Sequence, residues 1–224
     1  MTSQRRISLA AGILYVLTFV SIPTLALYGP VKGAHYVIGA GPDTGAMFGG
    51  LLEIIVALAG IGTAVVLFPM LKKQNEGFAL GLVASRVLEA ATIFLGVAFL
   101  LSIVILRRDG AGAGALDTSR TLVVLYNRIF LLGQSFMPAV NDLLLGLLLY
   151  QSRLVPRGLS RIGLVGAPVL VAGYLAVLFG LIGQHGGLAG LSAFPVAIFE
   201  FSLGVWLVVK GFDPEAVAAL ESKT

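Results

Sequence analysis

The chain has 224 residues, 58% hydrophobic and 12% charged, with a formal net charge of +4 and no cysteine. A mean hydropathy of +0.98 leaves too little polar side chain to cover a soluble domain of this length, which excludes that class. The missing cysteines exclude disulfides, thiolate catalysis and cysteine metal sites together.

Six apolar stretches approach or exceed the roughly 20 residues a helix needs to cross a bilayer. They run Ile7 to Tyr28, Met47 to Met70, Phe78 to Leu106, Thr121 to Tyr150, Ile162 to Gly183 and Leu191 to Lys210. The pattern predicts an all-α integral membrane protein, with six transmembrane helices bundled in one domain over residues 1–210 and a short tail at 211–224. Arg5 and Arg6 resemble the basic start of a signal peptide, and Thr24-Leu25-Ala26 resembles a cleavage site. The apolar core between them is too long for one, so the segment is expected to be retained. Pro23 is expected to kink or end the first helix. The third stretch is longer than a hydrocarbon core of about 30 Å requires at about 1.5 Å per residue, so it must tilt or emerge.

The connections differ in kind. Tyr28 to Ala46, with Gly29-Pro30, Gly41-Pro42 and His35, predicts a partly ordered cap, whereas the Gly/Ala-rich Asp109 to Asp117 predicts a mobile link. On the other side, Pro156 marks a helix boundary in Leu154 to Ser160, and Ser160 is placed to cap the fifth span. Asp213-Pro214-Glu215 predicts the start of a short helix with acids in its first turn. Arg5, Arg6, Lys72, Lys73, Arg153, Arg157, Arg161, Lys210 and Lys223 fall on one side, and Lys32, Arg107, Arg108 and Arg120 on the other. This asymmetry places both termini in the cytoplasm, across a bacterial inner membrane, and accounts for the pI near 9.6 without a nucleic-acid partner.

Inside the spans lie Glu53, Arg86, Glu89, Arg128, Asp142 and Glu200. A charge at bilayer depth costs roughly 2.5 to 3.5 kcal/mol on insertion scales, so each requires a partner or a wet cavity. Arg128, Ser135 and Asp142 are spaced by seven, which on a regular helix makes one inward-facing polar stripe. Arg86 and Glu89 are one turn apart and suited to a local ion pair. Depth along the spans matches Glu53 with Arg128, and Arg86 with Glu89 or Asp142. Four carboxylates face two guanidiniums, so acids are in surplus. Glu200, Glu89 and Asp142 are the candidate catalytic acids, and Arg128, Asn127, Glu53, Arg86 and Asn141 the candidate substrate-binding groups. Alternatively, these charges with Asn127, Gln134 and Asn141 fix helix packing and do no chemistry.

His35 and His185 sit alone in loops with no ligand-spaced neighbours, so no metal site is expected, and no motif calls for a cofactor. The glycines of Gly110 to Gly114 lack the strand, helix and Lys-Ser/Thr of a phosphate loop. The Gly45/Gly49 and Gly186/Gly190 spacings read as packing contacts.

Arg6 with Ala11-Gly12-Ile13-Leu14-Tyr15, Arg86-Val87-Leu88-Glu89, and Leu154-Val155-Pro156-Arg157 with Leu159-Ser160-Arg161-Ile162-Gly163-Leu164-Val165-Gly166 together form a further pattern. In these segments the chain resembles the bacterial membrane family catalogued as domain of unknown function 4386, along most of its length. The Pro-Arg turn with the glycine-containing helix start is the most specific part. The resemblance implies a single multi-helix membrane domain and no reaction, ligand or catalytic residue.

Three functions fit these residues. The first is an intramembrane acid/base enzyme acting on a lipid-like or isoprenoid substrate, with Glu200 or Glu89 donating a proton and Arg128 or Asn127 orienting a polar head. The second is a proton-coupled transporter or small-molecule-binding membrane subunit, and the third a scaffold or sensor. The expected partners are membrane lipids and a hydrophobic or amphipathic small molecule. An enzyme requires an enclosed apolar pocket with an acid at its wall; a transporter requires a polar path to both faces.

Overall fold

The computed structural model describes residues 2–222, and among them there is no β-strand. Five helical stretches are long and apolar enough to cross a membrane: Thr44–Leu71, Glu76–Arg108, Gly112–Ser152, Arg157–Leu178 and Gly187–Val209. They contain α3 (Thr44–Leu71), α4 (Glu76–Arg108), α5 (Leu116–Phe130) continuing through a π-helical turn into α6 (Met137–Ser152), α7 (Arg157–Leu178) and α8 (Gly187–Val209).

The first apolar stretch departs from a continuous helix. α1 spans Ser3–Leu17, a 3-10 turn follows at Thr18–Ser21, and the short α2 covers Thr24–Leu27. The α-helix ends before Pro23 because the sequence competes for its own carbonyls. Thr18 Oγ1 donates to the Tyr15 carbonyl at 2.7 Å, Ser21 Oγ to that of Thr18, and Thr24 Oγ1 to that of Ser21 at 2.6 Å. Pro23 then brings no N–H to continue the ladder.

The helices form a closed ring. α3 packs on α4, α4 on α5 and α6, α6 on α7, and α7 on α8, while α1 closes the circle against both α8 and α3. The closure depends on small residues. A Cβ on Gly12 would lie 2.7 Å from the Gly204 carbonyl oxygen, so α1 and α8 approach this closely only as glycines. Arg5 reinforces the seam by donating to the terminal carbonyls of α8, Leu207 at 2.9 Å and Val208 at 2.5 Å.

Both described chain ends lie on one face, the terminal face, where Gln4 donates to Glu221 at 2.9 Å. α9 (Pro214–Glu221) lies there too, capped by Asp213, whose carboxylate accepts from the Ala216 N–H. The corner between α6 and α7 turns at Arg153, in the left-handed region at φ 59°. It buries Leu154 and Val155, and the Leu154 carbonyl accepts from the Asp213 N–H at 2.9 Å. Ser160 does not cap α7. The helix starts earlier, at Arg157, because Pro156 presets its first turn, and Ser160 is wholly buried inside it. Lys223 lies outside the described residues.

On the opposite, cap face, α4 emerges far enough for Arg107 and Arg108 both to pair with Asp43, with Arg108 Nε at 2.8 Å. Tyr36, in a 3-10 turn at Tyr36–Ile38, donates to Asp43 at 2.7 Å and stacks under Arg107. The hydrogen bond from Arg108 holds the Asp43 carboxyl below its ordinary range. The predicted cap is therefore an ion-paired structure. The Asp109 to Asp117 link folds into a 3-10 turn at Gly112–Ala115 leading into α5.

Polarity runs opposite to that of a soluble protein. Leu58, Val65, Leu80, Leu88, Val165 and Val209 are each more than half exposed on the outside, while Glu53, Arg86 and Asp142 are at most 3% exposed within. The terminal half of the ring is a solid apolar core of Leu67, Leu82, Leu145, Leu149, Phe199 and Leu203. The cap half holds a second core, around Tyr28, Leu100, Ile103 and Tyr126, and a cavity beside it.

Candidate functional site

One turn of α4 supplies the centre of the site. Arg86 and Glu89 pair at 3.0 Å through Nη1, as their spacing predicts. The second guanidinium nitrogen, Nη2, binds Glu200 across the ring from α8, in place of the Asp142 partner expected as the alternative. Asn141 donates to Glu89 at 2.8 Å and accepts from Ser85 at 2.6 Å. Asp142 is wholly buried, with neither carboxylate oxygen receiving a hydrogen bond from a protein donor, and it lies close enough to Glu200 for the two acids to interact electrostatically. Tyr15 of α1 packs its ring beneath Arg86, 5.7 Å from the guanidinium carbon, with its hydroxyl buried and unpartnered. The cluster thus gathers α1, α4, α6 and α8 around three carboxyl groups and one guanidinium.

Above this cluster, toward the cap face, lies a cavity of about 520 Å³ with Arg86, Glu89 and Glu200 in its wall. Val56, Ala57 and Ile93 line one side, and Leu170, Tyr174, Ala193 and Val196 the other. Gln184 and His185 stand at its cap end, where Gln184 donates to the Asn127 carbonyl at 2.9 Å. Burial, with Lys32 nearby, lowers the pKa of His185 below its ordinary value, so it is neutral at physiological pH. Thr18, Phe19 and Ile22 line the cavity where α1 gives way to the 3-10 turn, and Gln134 and Ser135 line it from the π turn at Leu131–Ser135. The irregular backbone lies where a cavity tolerates it, beside polar groups that can satisfy it.

The π turn also overturns the predicted stripe. Its wider winding changes the helical phase between Arg128 and Asp142, so the spacing of seven no longer returns to one face. Arg128 is exposed and forms no ion pair, while Asp142 is fully buried. The expected Glu53–Arg128 pair is not formed. Glu53 instead accepts from Tyr28 at 3.1 Å, and from Tyr126 and Gln134 at 3.5 Å each. Lys32 lies 4.2 Å over the Tyr126 ring and attracts Glu53 electrostatically. Asn127 is half-buried near the cap, with Oδ1 unpartnered, and lines neither cluster nor cavity.

The structure therefore joins Arg86, Glu89, Asn141, Asp142 and Glu200 and separates Glu53, Asn127 and Arg128 from them. Sequence reasoning missed Tyr15, Ser85, Tyr28 and Tyr126. Tyr15 ends the Ala11 to Tyr15 run and Ser85 adjoins Arg86, so proximity to those segments was the available signal. Among the described residues no group of three or more His, Asp or Glu side chains is placed to hold a metal ion.

A family model described as domain of unknown function (DUF4386) matches residues 10–211. The chain belongs to that family. No curated protein and no solved structure matches it. The match takes in every residue of the cluster, from Tyr15 to Glu200, as well as the Leu154 to Arg157 corner, where Leu154 and Val155 are buried.

Proposed function

We propose that this protein is an intramembrane acid/base enzyme acting on an amphipathic, lipid-like or isoprenoid small molecule held in the cavity. The observation that carries this reading is that a largely apolar cavity ends on Glu89 and Glu200, with Asp142 behind them. Three carboxyls beside one guanidinium cannot all ionise cheaply in a low-dielectric interior, and two facing carboxyls naturally share a proton. Such a site can give a proton to a bound molecule's polar end or, once that proton has left, take one from it. A transporter with an open polar route is less favoured. Immediately terminal to the cluster, Leu82, Leu145 and Leu203 are each at most 1% exposed and close the ring.

The same reading includes six crossings. Five crossings would leave the chain ends on opposite faces, whereas Gln4 and Glu221 meet on one; the broken α1–α2 stretch therefore makes the sixth. The terminal face carries Arg5, Arg6, Lys72, Lys73, Arg153, Arg157, Arg161 and Lys210, a basic excess that supports reading it as the cytoplasmic side of a bacterial inner membrane.

Native mass spectrometry with lipid extraction, on wild type and Glu200→Gln, tests the function. A defined small molecule that co-purifies with the wild type and is lost from a folded variant supports it. Nothing bound, together with a variant that only loses stability, transfers the cluster to a structural role.

A further inference from the structure

We infer that the molecule taken into the cavity carries a cationic head, an organic ammonium or similar group, on an apolar or aromatic body. This rests on the binding reading above and names its ligand class. Arg86 already commits both terminal nitrogens to Glu89 and Glu200 and keeps only its buried Nε unpartnered, so its charge is matched by acids of the same chain. No other arginine or lysine lines the cavity. Asp142, fully buried behind Glu200, has two oxygens without a protein donor, so the cluster lacks positive charge and not negative.

The molecule itself provides a contrast. Its other buried acid, Glu53, has three neutral donors and a lysine of the same chain, held over the rings of Tyr28 and Tyr126. The Glu89–Glu200–Asp142 group has one cation, Arg86, for three carboxyls, and a cavity leading to it. Phe19, Phe130 and Tyr174 in the cavity lining offer rings to a diffuse cation. An anionic amphiphile of the same shape would meet Glu89 and Glu200 in a desolvated site, where like charge is costly.

A bound cation displaces the cluster's proton. One proton leaves for bulk water as one cation enters, and no other bond breaks. The groups facing that proton are Tyr15 from α1, Arg86 and Glu89 from α4, Asp142 from α6 and Glu200 from α8. His185 at the rim and Lys32 above Tyr126 lie farther off.

The test compares tetraphenylphosphonium with tetraphenylborate, which share a body and differ in sign, by equilibrium binding to the purified full-length protein in nanodiscs. Saturable phosphonium binding that tightens about tenfold per pH unit, with one proton released per cation, supports the inference. Glu200→Gln should weaken it about tenfold or more, the scale of one lost charge contact. Ala193→Phe, which fills the cavity without touching a charge, should abolish it and keeps the test valid if Glu200→Gln fails to fold. Borate binding as tightly as phosphonium, and lost in Ala193→Phe, overturns the cationic head and leaves the cavity reading standing. Neither ion binding in an Ala193-dependent way overturns both.

Discussion

Arg86 holds the site together by serving two acids from different helices. It is 3% exposed, and Glu89 and Glu200 depend on it for their only cation. Removing one partner of a buried pair leaves the others charged and unpaired, at a cost of about 3–5 kcal/mol. Arg86→Met should therefore lower the thermal stability of the detergent-solubilised protein sharply. Adding Glu89→Gln and Glu200→Gln to Arg86→Met should restore much of that loss, since the uncompensated charge is then gone. A single Arg86→Met variant that melts like the wild type would mean that the cluster is hydrated and uncoupled. Asn141 is subtler: its amide both donates to Glu89 and accepts from Ser85, so it sets the orientation of one carboxylate without adding charge.

Among the elements, the two irregular turns matter most, because each converts a spanning stretch into a cavity wall. The 3-10 turn at Thr18–Ser21 packs on α3 and frees Phe19 and Ile22 to line the cavity. The π turn at Leu131–Ser135 rotates everything before it relative to α6. A cysteine at position 128 should then react with a water-soluble maleimide, and one at position 142 should not, in an otherwise cysteine-free chain. Equal protection at both positions would restore the regular stripe and remove the π turn from the account. Gly133 is where this turn meets α4: a Cβ there would come within 1.8 Å of Thr92 Oγ1, so only glycine allows this approach.

The molecule as a whole is a ring closed by α1, with a packed apolar core in its terminal half and, in its cap half, a cavity beside a second core around Tyr28, Leu100 and Tyr126. That asymmetry leaves the cluster at the cavity's base separated from the terminal face by buried apolar side chains. The closure also bears on sidedness: Gln4 and Glu221 are joined on one face, as the proposed six crossings require. Single cysteines at Ser3 and Ser222 should label from the same side of right-side-out vesicles, and one at Gly112 from the other. Labelling of positions 3 and 222 from opposite sides would contradict both the six-crossing reading and the packing of α1 on α8.

Much of this was legible in the linear pattern because the bilayer imposes a simple rule: apolar runs of helix length must lie in lipid, and basic residues collect at their ends. The spanning helices α4 and α8, the capped tail helix, the Arg86–Glu89 pair and the surplus of buried acid follow from such local rules. What those acids pair with does not. Glu200 reaches Arg86 over a sequence distance of 114 residues, and Tyr28 reaches Glu53 only because the chain doubles back through the cap. The Glu53–Arg128 expectation failed because one π turn changes the phase of a helix, and winding is chosen by packing against Thr92 and the cavity and not by spacing along the chain. Composition and periodicity thus determine that the chain enters a membrane with charge inside it. Ring closure alone decides which charges meet, because close approach between α1 and α8, or α4 and the π turn, depends on atoms brought together from distant parts of the sequence.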